Sequence, residues 1–161
     1  MVKYMHMEHG NAEMKARALA SLKDAYFGVL ATADASGQPH AAAVVITADD
    51  DFTVYFMTRE TTTKHQDITV RPEVAMTVGM NLLVYLQIRG VAERLTDADE
   101  VSEITRRLAM TASAVKDFWP PLARLTSGKY VAYRIRPTSV KAMDMTDHYI
   151  HPGVSPIVTI I

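Results

Sequence analysis

The stretch FGVLATADASGQPHAAAVVITADDDFTVYFMT, Phe27 to Thr58, decides how this chain is read. It holds three apolar runs, Phe27–Ala33, His40–Ile46 and Phe52–Met57. Two turn signals separate them, ASGQP around Ser36-Gly37 and the acidic Ala48–Asp51. Gly, Pro, Ser and Asp gather where a chain reverses: Gly reaches positive φ, Pro presets φ, and Asp or Ser bonds nearby backbone. Links this short join neighbouring strands antiparallel. The third run sets Phe52, Val54 and Phe56 against Thr53, Tyr55 and Met57, the alternation of a strand with one buried face.

Downstream, a short helix is predicted over Thr63–Val70. Thr63 and Gln66 make a T-x-x-Q capping box, and Pro72 forbids continuation. Strands follow at Glu73–Gly79 and Leu82–Glu93, the second alternating Val84, Leu86 and Ile88 with Tyr85, Gln87 and Arg89. Asp97–Met110 reads as an amphipathic helix with Val101, Ile104 and Leu108 on its apolar stripe. Thr111–Thr126 is irregular and broken by Pro120-Pro121, and a last strand, Lys129–Arg136, turns Val131, Tyr133 and Ile135 inward. Upstream, Asn11 is a plausible N-cap for a helix to about Ala25 with Ala18, Leu19, Leu22 and Tyr26 on one face. Six short strands with hairpin-length links predict a mainly β fold, an antiparallel barrel with flanking helices.

The 161 residues, 48% hydrophobic and 22% charged, suit one globular domain over 1–161, with no repeat, linker or low-complexity segment. With no cysteine, the sequence excludes disulfides, thiol catalysis and thiolate metal sites. Seventeen Lys and Arg against 18 Asp and Glu leave no basic footprint for nucleic acid. No apolar run approaches the ~20 residues that cross a bilayer, and the N-terminus carries no signal-peptide pattern. A soluble, cytoplasmic protein is expected.

Chemistry concentrates in Tyr55–Pro72. A strand ends at Thr58, and Arg59, Thr61, Thr62, Thr63 and Lys64 follow at the start of a helix. Helix N-termini offer free N–H groups and a positive dipole, hydroxyls add donors, and Arg and Lys add charge-assisted bonds. Such a group either holds a phosphate or simply caps the helix with its cations in water.

YFMTRETTTKHQDITVRPEVAMTV, Tyr55–Val78, resembles the strand–turn–helix of the pyridoxamine 5'-phosphate oxidase-like, FMN-binding split-barrel family. YLQIRGVAERLTD resembles the family's long strand ending in Gly-x-Ala, and FGVLATADASGQPHAAAVVI its opening hairpin with a Gly-x-Pro turn. The likeness covers about Ala25–Asp97 and, more weakly, the strand ending near Pro137. It implies a six-stranded antiparallel split β-barrel and a homodimer with FMN in clefts between subunits. Thr63 and Lys64 match the family's phosphate-binding positions, with Thr62 and Arg59 in the same turn. Met57 and Thr58 match the strand end beside the flavin. His40, Ala41, Ala42, Ala43 and Val44 match the strand whose backbone passes the ring. Tyr85 or Gln87 matches a contact from the partner subunit. Where many members have Arg before the Lys, this chain has Thr63, and Arg59 is the available substitute.

The implied activity is an oxidoreductase acting on a small planar or hydrophobic substrate, or a redox carrier, through flavin N5. The alternative is a flavin-, F420- or haem-binding stress or sensor protein without efficient turnover. Trp119 is a core or interface residue or, as in some relatives, an aromatic near the flavin. Two H-x-x-H pairs, His6/His9 and His148/His151, lack a completing carboxylate, so no metal is expected. The apolar tail GVSPIVTII, Gly153–Ile161, is expected on the partner subunit. The true oxidase activity is not expected: after Arg136 the only Lys or Arg is Lys141, too few cations for a second phosphate.

Overall fold

The structure is a computed structural model describing residues 2–79, 83–114, 129–145 and 155–161, with side chains from residue 12 onward. The elements are α1 (Val2–Asp24), β1 (Phe27–Ala33), β2 (Pro39–Ala48), β3 (Val54–Arg59), α2 (Thr63–Val70) and β4 (Glu73–Val78). They continue with β5 (Val84–Arg94), α3 (Ala98–Ala114), β6 (Tyr130–Asp144) and β7 (Ile157–Thr159). The strand order is β3-β2-β1-β4-β5-β6-β7, every pairing is antiparallel, and β3 also pairs with β6. The first six strands therefore close a barrel.

Turn chemistry sets the first hairpin. Gly37 sits at φ 88°, and the Asp34 carboxylate accepts from the Ser36 and Gln38 N–H groups and the Ser36 hydroxyl. In the second turn Phe52 holds φ 66°, rare for a bulky residue, while its ring is fully buried. Burial of the ring offsets that backbone strain, so β3 begins at Val54 rather than at Phe52. Both faces of β3 are buried, not one. α3 lies across its outer side, packing Ile104 and Leu108 with Tyr55. Arg107 fastens α3 there through Asp49 at 2.9 Å and the Ala48 carbonyl at 2.9 Å. Burial and the bond from Tyr55 to Asp49 push the Tyr55 phenol up to about 12.

β6 does not stop at Arg136. It runs 15 residues through Pro137, which stands opposite Gly90 where the register with β5 shifts. A proline at a bulge lacks only an N–H the ladder does not use there. A Cβ on Gly90 would lie 2.3 Å from the Arg136 carbonyl oxygen, so only glycine allows the approach. The far edge of β6 is shared: Tyr130–Ile135 pairs with β3, and Lys141–Met143 pairs with β7. The apolar tail thus forms a seventh strand on its own sheet, with Val158 and Ile160 against the core. Ile157 and Ile161 stay exposed.

Two helices close opposite ends of the barrel. α1 begins well before Asn11, which is interior to it rather than its cap. Met14, Ala18 and Leu22 are buried, and Ser21 Oγ donates to the Val84 carbonyl at 3.0 Å. At the other end, where β1 finishes and β2 starts, α2 buries Ile68 and Asp67.

Candidate functional site

β2 meets β1 through Pro39–Val45 but meets β3 only through Ile46–Ala48. Its β3-facing edge from His40 to Val45 therefore has no strand neighbour among the described residues. An unpaired edge offers backbone N–H and C=O groups in a row. Beyond Phe56 the end of β3 is not paired with β2 and leads into the turn to α2, so the ground between this edge and that turn is the candidate cleft.

In that turn the buried Thr58 hydroxyl lies 2.9 Å from the Thr62 hydroxyl, and Thr62 Oγ1 donates to the Arg59 carbonyl at 2.9 Å. Thr62 is the N-cap residue of α2, in extended conformation, and no side chain caps the helix. The predicted Thr63/Gln66 capping box is therefore not formed. Its hydroxyl work is done elsewhere, so the first N–H groups of α2, at Thr63 and Lys64, keep their capacity for an external acceptor. The half-buried Lys64 makes no ion pair among the described residues, and burial lowers its ammonium below the ordinary lysine range. A desolvated cation beside free helix N–H groups is a receptor for an anion.

Arg59 does not join it. Its Nε donates to the Tyr130 hydroxyl at 3.0 Å, and its guanidinium lies 5.4 Å from that ring's centroid. Met57 packs under α3, where its sulfur accepts the Thr105 hydroxyl at 3.4 Å. Along β2, Ala41 and Ala43 face outward and are exposed, while His40, Ala42 and Val44 face the barrel side. Tyr85 and Gln87 stand on β5, with β1 and β4 between them and β2, and so do not approach Lys64 within one chain. Trp119, His148 and His151 lie outside the described residues, as do the side chains of His6 and His9.

Behind the cleft are residues that sequence reading missed. Asp67, buried on α2, accepts the Thr32 hydroxyl at 2.6 Å, and His40 Nδ1 stands 3.4 Å from Thr32 Oγ1 and 3.8 Å from Asp67 Oδ2. His65 Nδ1 lies 2.7 Å from the hydroxyl of buried Tyr133, which stacks on Phe56 with centroids 5.3 Å apart. Burial pushes the Tyr133 phenol up from its ordinary range. These contacts fix α2 against β1, β2 and β6. The sequence carried no signal for them, since a mid-helix Asp ordinarily reads as solvent-facing.

A six-stranded antiparallel barrel with flanking helices, closed by β3 on β6 and left with a free edge on β2, is a split barrel. Residues 14–144 match the family described as pyridoxamine 5'-phosphate oxidase, and the chain belongs to it. No curated protein matches the chain at significant similarity. Among solved structures, it resembles general stress protein 26 of Bacillus anthracis strain Sterne, with 25% identity and a TM-score of 0.61 over 80% of this chain and 92% of that one. An F420 reductase aligns with 24% identity and a TM-score of 0.57 over 75% and 93%. The haem storage protein HutZ of Vibrio cholerae aligns with 16% identity and a TM-score of 0.56 over 76% and 86%. Among the described residues no helix is long and apolar enough to cross a membrane.

Proposed function

We propose that this chain is an FMN-binding flavoprotein, acting as a homodimer with flavin between subunits, and an oxidoreductase toward a small planar or hydrophobic substrate or redox carrier. The observation that carries the reading is the uncapped start of α2 beside a half-buried Lys64 that pairs with no carboxylate among the described residues. Thr62, Thr63 and Lys64 would hold the phosphate, and the free edge of β2 would offer backbone groups to the ring. When bound, the flavin supplies hydride transfer at N5. The chain's own part is to bind, orient and exclude water: α3 and the buried Phe56–Tyr133 pair keep the cleft walls rigid.

The family also includes proteins whose bound group differs. The likeness to an F420 reductase and to a haem storage protein supports a second reading, a deazaflavin or haem binder. The absorption spectrum of purified protein separates these: a flavin band near that of free FMN, a deazaflavin band, or a Soret band. Lys64→Glu places an anion where the phosphate would sit and should weaken FMN binding by about 100-fold or more, with far-UV circular dichroism unchanged. Stoichiometric FMN on the purified variant would refute the phosphate assignment. No turnover of pyridoxamine or pyridoxine 5'-phosphate under oxygen is expected.

A further inference from the structure

The resemblance sets His40 beside the ring only through its backbone, yet its side chain ends a directed chain of hydrogen bonds. The direction follows from counting hydrogens. Thr32 Oγ1 donates its one hydrogen to Asp67 Oδ2 at 2.6 Å. Asp67 is buried, 4% exposed, and an ionised carboxylate only accepts. With that hydrogen spent, Thr32 Oγ1 meets His40 Nδ1, 3.4 Å away, as an acceptor. Nδ1 therefore carries the hydrogen, and the neutral imidazole leaves Nε2 bare. Asp67 Oδ2, 3.8 Å from Nδ1, favours the same tautomer, because a hydrogen rather than a lone pair then faces the anion.

The two ring nitrogens point apart, so Nε2 is turned away from these buried groups. The side chain is 35% exposed, and Nε2 makes no hydrogen bond among the described residues. His40 begins the unpaired edge of β2, and its ring reaches toward Asp67 on α2. The bare nitrogen thus stands where the strand edge and the helix, the two sides of the candidate cleft, come together. Ala41, Ala42 and Ala43 follow along that edge and accept no proton. His65 does not duplicate the role, since its Nδ1 is engaged with buried Tyr133 at 2.7 Å. We propose that His40 Nε2 is the proton acceptor of the site, with Thr32 and Asp67 as positioning residues, and that the substrate presents an O–H or N–H to it. The proposal rests on the flavoprotein reading above and narrows its substrate to a phenol, hydroquinone, alcohol or amine, against a carrier that moves no proton. In the transfer the substrate's O–H or N–H bond breaks and the proton joins the Nε2 lone pair. The bonding pair stays on the substrate heteroatom, and the imidazolium has the Asp67 carboxylate behind it.

The first test needs no ligand. Long-range proton–nitrogen NMR at about pH 8, where an ordinary imidazole is neutral, reads which ring nitrogen holds the hydrogen, with His40→Phe assigning the signal. His40 should carry it on Nδ1, Thr32→Val should lose that preference, and Thr32→Ser should keep it. A hydrogen on Nε2 in the wild type, or a tautomer indifferent to Thr32→Val, overturns the inference. The second test titrates protein saturated with FMN with para-cresol and with its methyl ether, which differ only by the donor. The phenol should bind about tenfold tighter and move the Nε2 signal, and in His40→Phe the two should bind alike. Equal binding in the wild type, or discrimination that survives His40→Phe, overturns the inference alone. An Nε2 signal that FMN moves and para-cresol does not gives this nitrogen to the flavin's own imide N–H and overturns the substrate assignment. A wild-type protein that binds no FMN overturns the flavoprotein reading whatever tautomer His40 shows, and the substrate assignment falls with it.

Discussion

The two ends of the barrel are closed by helices of opposite character. At the α1 end the plug is apolar, and its polar groups are matched: Met14, Ala18 and Leu22 are buried, Ser21 donates to Val84, and Arg17 pairs with the fully buried Asp144 at 2.6 Å. At the α2 end Ile68 is the one buried apolar residue of the helix, and the rest of the contact is polar: Thr32 to Asp67, His65 with Tyr133, and a lysine with no counter-ion among the described residues. Burial of apolar surface stabilises with little regard to detail, whereas a buried polar group stabilises only when its partner is in place. The first end is thus built to hold the barrel shut, and the second holds a geometry whose last partner comes from outside.

Breaking the apolar plug should have the largest effect on stability. Leu22→Ala removes a fully buried side chain at the α1 end and should cost about 2–5 kcal/mol in urea unfolding. If α1 only lay on the surface, the loss would be well under 1 kcal/mol. FMN affinity per folded molecule should be unchanged, since α1 packs at the end of the barrel away from α2.

At the other end, Thr32→Val keeps shape but removes the hydroxyl that Asp67 accepts. A buried carboxylate losing its donor should cost about 1–3 kcal/mol. The loss should be local: amide exchange should speed up along α2 before it does along α1, and FMN affinity should fall with it. Equal protection at both ends after the substitution would show that the Thr32–Asp67 bond does not hold α2.

The contrast also explains what could be read in advance. β1 and α2 fall at Phe27–Ala33 and Thr63–Val70, as periodicity and Pro72 require. The second half of β6 was hidden because Pro137 reads as a stop, and its tolerance depends on Gly90, 47 positions away on another strand. The start of α1 carries no cap or apolar period to announce it. β7 was legible as an apolar tail, but composition cannot say which sheet edge receives it. Thr58, Thr62 and Lys64 could be found because the site is continuous in sequence. Thr32, Asp67 and Tyr133 could not, since three separate segments bring them together. The capping box illustrates the limit: the pattern T-x-x-Q is present, yet the threonine at the cap position is Thr62, and its hydroxyl is held by Thr58 and the Arg59 carbonyl.

The smallest predicted change in stability is the most discriminating, because its sign reverses with ligand. Lys64→Met keeps length and removes the charge. In the empty protein the wild-type ammonium is held partly out of water with no ion-pair partner among the described residues, so the variant should be more stable, by roughly 1 kcal/mol or less. Burial lowers the folded pKa of Lys64 below its ordinary 10.5, so between those values the unfolded chain binds more protons than the folded one. Wild-type stability therefore rises with pH in that window. The advantage of Lys64→Met should be full at neutral pH and shrink as pH climbs toward 10.5. Saturating FMN should invert the order, since a ligand bound only by the folded wild type stabilises it by about 2.7 kcal/mol at 100 times Kd, while the variant gains far less. Thermal unfolding of both proteins at pH 7 and pH 9.5, with and without FMN, reads all four terms. A variant less stable than wild type in the absence of ligand would mean that Lys64 is a structural residue rather than a cation held ready for an anion.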